Sequence, residues 1–90
     1  QLLNMKKIII YGAGGLGKDI ADIASRNNDI EILGFIDDNK VGEQIGEFNI
    51  FDFEQAESKF DNFYLVLALG DPQIKEKIKN KFFYPVQQYF

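Results

Sequence analysis

The ninety residues contain no cysteine, no histidine and no tryptophan. Without cysteine there is no disulfide, no thiolate nucleophile and no cysteine metal site. Without histidine the chain lacks the side chain that most often serves as general base near neutral pH. Long apolar stretches are missing too. The longest purely aliphatic run, residues 65–69, is far shorter than the roughly 20 residues a membrane span needs, so no membrane partner is expected. Nor does a secretion signal precede the first strand: Met5, Lys6 and Lys7 lead straight into it, without an apolar stretch and a small-residue cleavage site. A cytoplasmic location is the expectation, with residues 1–4 read as an extension ahead of a start at Met5.

Positive charge is also in deficit. Ten basic against fourteen acidic side chains leave a formal net charge of −4, which repels a nucleic-acid backbone over the molecule as a whole, so no nucleic-acid partner is expected. The lysines at 75, 77, 79 and 81 alternate with other residues, including Glu76, and read as the wet face of a helix. What is present is an ordinary globular composition, 46% hydrophobic and 27% charged, enough for one small domain over residues 1–90.

The apolar pattern alternates in period. Residues 8–11, Ile-Ile-Ile-Tyr, are β-favouring and stop at Gly12, as in a strand covered on both faces. Leu16, Ile20, Ile23 and Ala24 then fall on one helical stripe running to about Asn27. Residues 31–36 read as a second strand ending at Asp37, Asp38 and Asn39, and a short strand is expected at 48–51. Asp52 followed by Gln55 has the form of a capping box, opening a short helix with Phe53, Ala56 and Phe60 on one face. Residues 63–69 form another buried strand closed by Gly70. Asp71 and Pro72 are a cap and first-turn proline for a last helix, and residues 81–86 are a candidate edge strand. Strands alternating with helices imply an α/β domain, a Rossmann-like half with a short parallel sheet of about four strands flanked by helices.

Gly12-Ala13-Gly14-Gly15-Leu16-Gly17 fits G-x-G-x-x-G between a strand and a helix. There, glycines allow a tight turn, close approach of a phosphate and close helix packing, while the helix start offers unpaired amides to an anion. The competing reading is a glycine turn required only for packing. Lys18 completes most of a P-loop, but Asp19 stands where that motif needs a hydroxyl for Mg²⁺, which excludes a P-loop NTPase. Lys18 itself reads as a solvated lysine of the first turn or as a cation that helps hold an anion. Asp37 and Asp38 end a strand at the sheet edge where such folds bind ligands. Each can accept hydrogen bonds from a ribose or base, or can merely shape the turn, and as neighbours on a strand end they point to opposite faces. Gly70 and Asp71 follow another buried strand and are expected to face the same crevice, with Asp71 also suited to helix capping.

The segments running from Lys7 to Ile20, from Leu33 to Asn39 (L-G-F-I-D-D-N) and from Ala68 to Asp71 (A-L-G-D) together resemble the N-terminal domain of bacterial sugar acyltransferases of the sialic-acid O-acetyltransferase and bacillosamine N-acetyltransferase type. The likeness runs from about Met5 to Lys81. It implies a domain that binds a nucleotide-sugar acceptor, a UDP-sugar first, through Gly12, Ala13, Gly14, Gly15, Leu16, Gly17, Asp37, Asp38, Gly70 and Asp71. It further implies a left-handed β-helix elsewhere in the parent protein that binds acetyl-CoA, forms a trimer and supplies the histidine base. No cofactor of its own, no metal and no catalytic residue are therefore expected of this domain. Many members carry histidine or phenylalanine where this chain has Leu16, and hexapeptide repeats are not encoded within residues 1–90, so the chain is expected to be one part of a longer protein. Two other readings stay open: an NAD-binding domain of a dehydrogenase or redox sensor, and a non-catalytic interaction module of polysaccharide biosynthesis working through its aromatic C-terminal residues.

Overall fold

The computed structural model describes residues 5–70. β1 (Lys6–Tyr11) carries Ile8, Ile9 and Ile10, none more than 1% exposed. The burial of three successive residues follows from the strand's position. β1 pairs in parallel with β2 (Ile30–Ile36) on one side and β5 (Tyr64–Leu67) on the other, and each sheet face has its own apolar cover. On one face Ile8, Ile10, Phe35 and Ile50 pack with Ala21 and Ala24 of α1 (Gly15–Ser25). On the other, Ile9, Ile36 and Leu65 pack with Phe53 and Ala56 of α2 (Phe53–Lys59). Each of the three isoleucines contributes about 2 kcal/mol by burial, and the pattern is that of a central parallel strand.

The described sheet has five strands in the order β3-β4-β2-β1-β5. The expectation of about four omitted β3 (Gln44–Ile45), a two-residue strand antiparallel to β4 (Phe48–Phe51). Two residues are too few to carry a hydrophobic period, and Gly46 between them and β4 turns at φ +59°. The remaining pairs are parallel. The helix stripe also needs correction. Leu16 is 48% and Ile23 67% exposed, whereas Gly17, Ala21 and Ala24 are the buried positions of α1. The small residues let α1 lie close on the sheet, Ile20 is partly buried against the same core, and Leu16 and Ile23 are left on the helix's outer flanks.

Between β1 and β2 the register slips: Ile8 faces Ile32, but Ile9 faces Gly34. Leu33 is the extra residue of this bulge. Through it Ile32 and Phe35, three apart, join the same core, while Leu33 and Ile36 join the other. The capping box at α2 is formed in both directions. The Gln55 amide donates to Asp52 Oδ1 at 2.8 Å and the Asp52 amide to Gln55 Oε1 at 3.0 Å. The helix expected after Asp71, the edge strand at 81–86, the lysine series and the aromatic C-terminus lie outside the described residues.

Candidate functional site

The carboxyl ends of β1, β2 and β5 meet at one edge of the sheet, and their following residues are tied together there. The Gly12 amide donates to the Ile36 carbonyl at 2.8 Å and the Ala68 amide to the Tyr11 carbonyl at 2.9 Å. Gly12, at φ +114°, is packed so tightly that a Cβ on it would meet the Ala68 carbonyl oxygen at 2.7 Å. A Cβ on Gly17 would overlap the Gly12 carbonyl oxygen. These two glycines are required by the fold alone: one lets the turn pass β5, the other lets α1 close onto it.

Gly14 and Gly15 differ. Nothing lies within 4 Å of a Cβ built on either, and Gly14 has φ −90° and ψ −161°, a conformation open to any residue. Neither packing nor backbone geometry among the described residues calls for glycine at these positions. Gly14 is also the N-cap of α1, no side chain caps that helix, and no acidic residue occupies its first turn. The first intrahelical bond runs from the Lys18 amide to the Gly14 carbonyl at 3.0 Å. Among the described residues no side chain caps the amides at the helix start, which carry the positive end of the helix dipole. Lys18 and Asp19 are exposed on the helix surface.

Asp37 stands directly beside this loop. Its Oδ2 accepts the Ala13 amide at 3.0 Å, its Oδ1 accepts the Asn39 amide at 3.0 Å, and its own amide donates to the Phe51 carbonyl at 3.0 Å. Lys40, which composition and motif gave no reason to single out, reaches back to the same loop and donates from Nζ to the Ala13 carbonyl at 3.2 Å. Among the described residues Asp22 and Arg26 form an ion pair at 2.7 Å on the surface of α1, and Lys40 has no carboxylate within ion-pair range. Asp38 is exposed. It and Asp37 both act on half-buried Tyr11, whose hydroxyl is held above its usual pKa of 10.0 by burial first, then by the negative charge of Asp38 and of Asp37. Gly70 lies exposed beyond β5, and nothing among the described residues is within 4 Å of a Cβ there. The structure therefore brings Gly12, Ala13, Gly14, Gly15, Leu16, Gly17, Asp37, Asp38 and Gly70 to one edge, adds Tyr11 and Lys40, and leaves Asp71 outside the described residues. Among the described residues no cluster of three or more acidic side chains could hold a metal, and no helix is long and apolar enough to cross a membrane.

A mostly parallel sheet with helices on both faces and a glycine turn opening the first helix defines a Rossmann-like domain. Solved structures agree on that fold. C. glutamicum DAP dehydrogenase in complex with DAP superposes with a TM-score of 0.70 at 18% identity over 96% of this chain, which spans only 26% of that enzyme. UDP-D-quinovosamine 4-dehydrogenase from Vibrio fischeri gives 0.64 at 20% identity, over 86% of this chain and 68% of that one. Within the fold, the model of the PglD N-terminal domain matches residues 7–82, and the chain belongs to that family.

Proposed function

We propose that this domain binds a nucleotide-linked sugar, with a UDP-sugar as the first candidate, as the acceptor-holding part of a sugar acetyltransferase. The observation that carries the reading is the contrast within the glycine turn. Gly12 and Gly17 are explained by internal contacts, whereas a Cβ on Gly14 or Gly15 would meet no neighbour among the described residues, and both stand beside amides that no side chain caps. A diphosphate seated there would account for the missing side chains, since a Cβ would intrude on it and the amides would donate to it. Family membership supports a sugar acetyltransferase context, and the likeness to a UDP-sugar dehydrogenase supports a uridine diphosphate on this fold. In this reading Asp38 and Gly70 border the sugar and base, Leu16 offers an apolar edge, and Tyr11 stays a neutral phenol at the pH of the cell. Acyl transfer from acetyl-CoA falls to a further part of the parent protein, consistent with a domain that contains no histidine.

Calorimetric titration of the chain with UDP, UDP-N-acetylglucosamine and NAD decides the matter. Preference for the uridine compounds, with loss of amide signals at Gly14 and Gly15 on binding, is the expected result. Preference for NAD would transfer the assignment to a dehydrogenase-type domain, and indifference to all three would remove it.

A further inference from the structure

The acidic residue at the end of the second strand of a Rossmann-like domain is ordinarily read as a ribose contact. In this chain both carboxylate oxygens of Asp37 already hold backbone amides. One carboxylate oxygen holds the Ala13 amide and the other the Asn39 amide, while its own backbone amide is tied to Phe51 of β4 and its carbonyl accepts the Lys40 amide at 3.0 Å. Lys40, one turn further on, completes the arrangement by donating to the Ala13 carbonyl.

The two peptide planes flanking Ala13, Gly12–Ala13 and Ala13–Gly14, are thereby each gripped by a charged side chain of the loop after β2. Ala13 is buried at 1% exposure, so both bonds are made in a partly dry setting, where such contacts are stronger than in water. The second plane carries the Gly14 amide. With its carbonyl drawn toward an ammonium group, that amide is aimed away from Lys40 and polarised as a donor.

We propose that Asp37 and Lys40 are positioning residues that clasp the glycine loop at Ala13 and set its amides for a phosphate, so that Asp37 acts on the ligand through the loop and Asp38 is the carboxylate left for the sugar. The proposal deepens the assignment of a nucleotide-sugar site and rests on it for the ligand, but the clasp itself is a property of the unliganded chain.

The test compares the intact chain with Asp37→Ala and Lys40→Met, using UDP and 2′-deoxy-UDP as probes and amide hydrogen exchange in the free protein. Exchange at Ala13 accelerates in Asp37→Ala, and both variants lose about tenfold in affinity for UDP, the size of one charge-assisted hydrogen bond. The loss is the same with 2′-deoxy-UDP. If the Asp37→Ala penalty disappears with the deoxy nucleotide, Asp37 is a ribose contact and the proposal falls. Unchanged exchange at Ala13 overturns it as well. Should Asp37→Ala fail to fold, Lys40→Met, which leaves the Asp37 bonds in place, gives the affinity comparison alone. Should the unaltered chain bind neither nucleotide, the assignment of the ligand fails, and exchange at Ala13 still decides for or against the clasp.

Discussion

Gly17 sits against the carbonyl oxygen of Gly12 with no room for a single carbon between them. The start of α1 is thereby fixed to the end of β1, and the amides of the loop are held at the carboxyl edge of the sheet. Gly17→Ala would gain about 1 kcal/mol of helix propensity. The clash is with backbone and cannot be relieved by a rotamer, so the net expectation is a loss of about 3 kcal/mol. A shift of the urea midpoint to lower concentration at constant m-value reads this out, and an unchanged midpoint would contradict the packing described.

Gly14 should behave in the opposite way. Placing a carboxylate there with Gly14→Asp caps an uncapped helix and complements its dipole, adding about 0.5 kcal/mol of stability. The same carboxylate occupies the open space before the amides and repels a diphosphate. Thermal melting should rise slightly while UDP binding is lost. Retention of nucleotide affinity would show that the ligand does not use this crevice.

The Tyr11 hydroxyl supplies a pH signature. Its folded pKa lies above the ordinary 10.0 because burial, Asp38 and Asp37 all disfavour the phenolate. The unfolded chain thus releases this proton at lower pH than the folded one. The associated stability is whole below pH 10 and is lost as pH climbs through the folded value. Denaturant midpoints from pH 8 to 11 should fall more steeply for the unaltered chain than for Tyr11→Phe, the lysines contributing equally to both. Parallel curves would contradict the burial of the Tyr11 hydroxyl and its nearness to the two carboxylates.

Asp52→Ala removes the side-chain arm of the capping box at α2, the carboxylate that accepts the Gln55 amide, and should cost about 1 kcal/mol. Gln55→Ala, which leaves the Asp52 side chain free to cap, should cost less. Asp52 follows Phe51, whose carbonyl holds the Asp37 amide, but neither capping side chain bonds the glycine loop, so nucleotide affinity should change far less than stability in a titration of either variant.

Much of this was legible beforehand because it depends on neighbours in the chain. The strand at 48–51, the capping box at Asp52 and Gln55, and the helix opening within the glycine turn each follow from residues a few positions apart. Two expectations about α1 failed for one reason: periodicity identifies the stripe on which Leu16 and Ile23 lie, but not how near the sheet will approach, and the small residues Gly17, Ala21 and Ala24 took the inner position. Lys40 had no local mark at all, since its partner is 27 residues away.

The order of apolar residues and glycines was sufficient by itself to specify an α/β domain with a glycine turn between its first strand and helix, because strand and helix periods and turn chemistry are local properties. It could not separate Asp37 from Asp38, or say whether Gly15 is squeezed or stands open. Tertiary structure decided both: the bulge at Leu33 shifts the register of β2 and sets which carboxylate follows on the side of the loop, and the closeness of β5 and α1 sets which glycines are squeezed and which stand open. Register and interlayer distance arise from the packing of two cores at once, and no short stretch of sequence contains that sum.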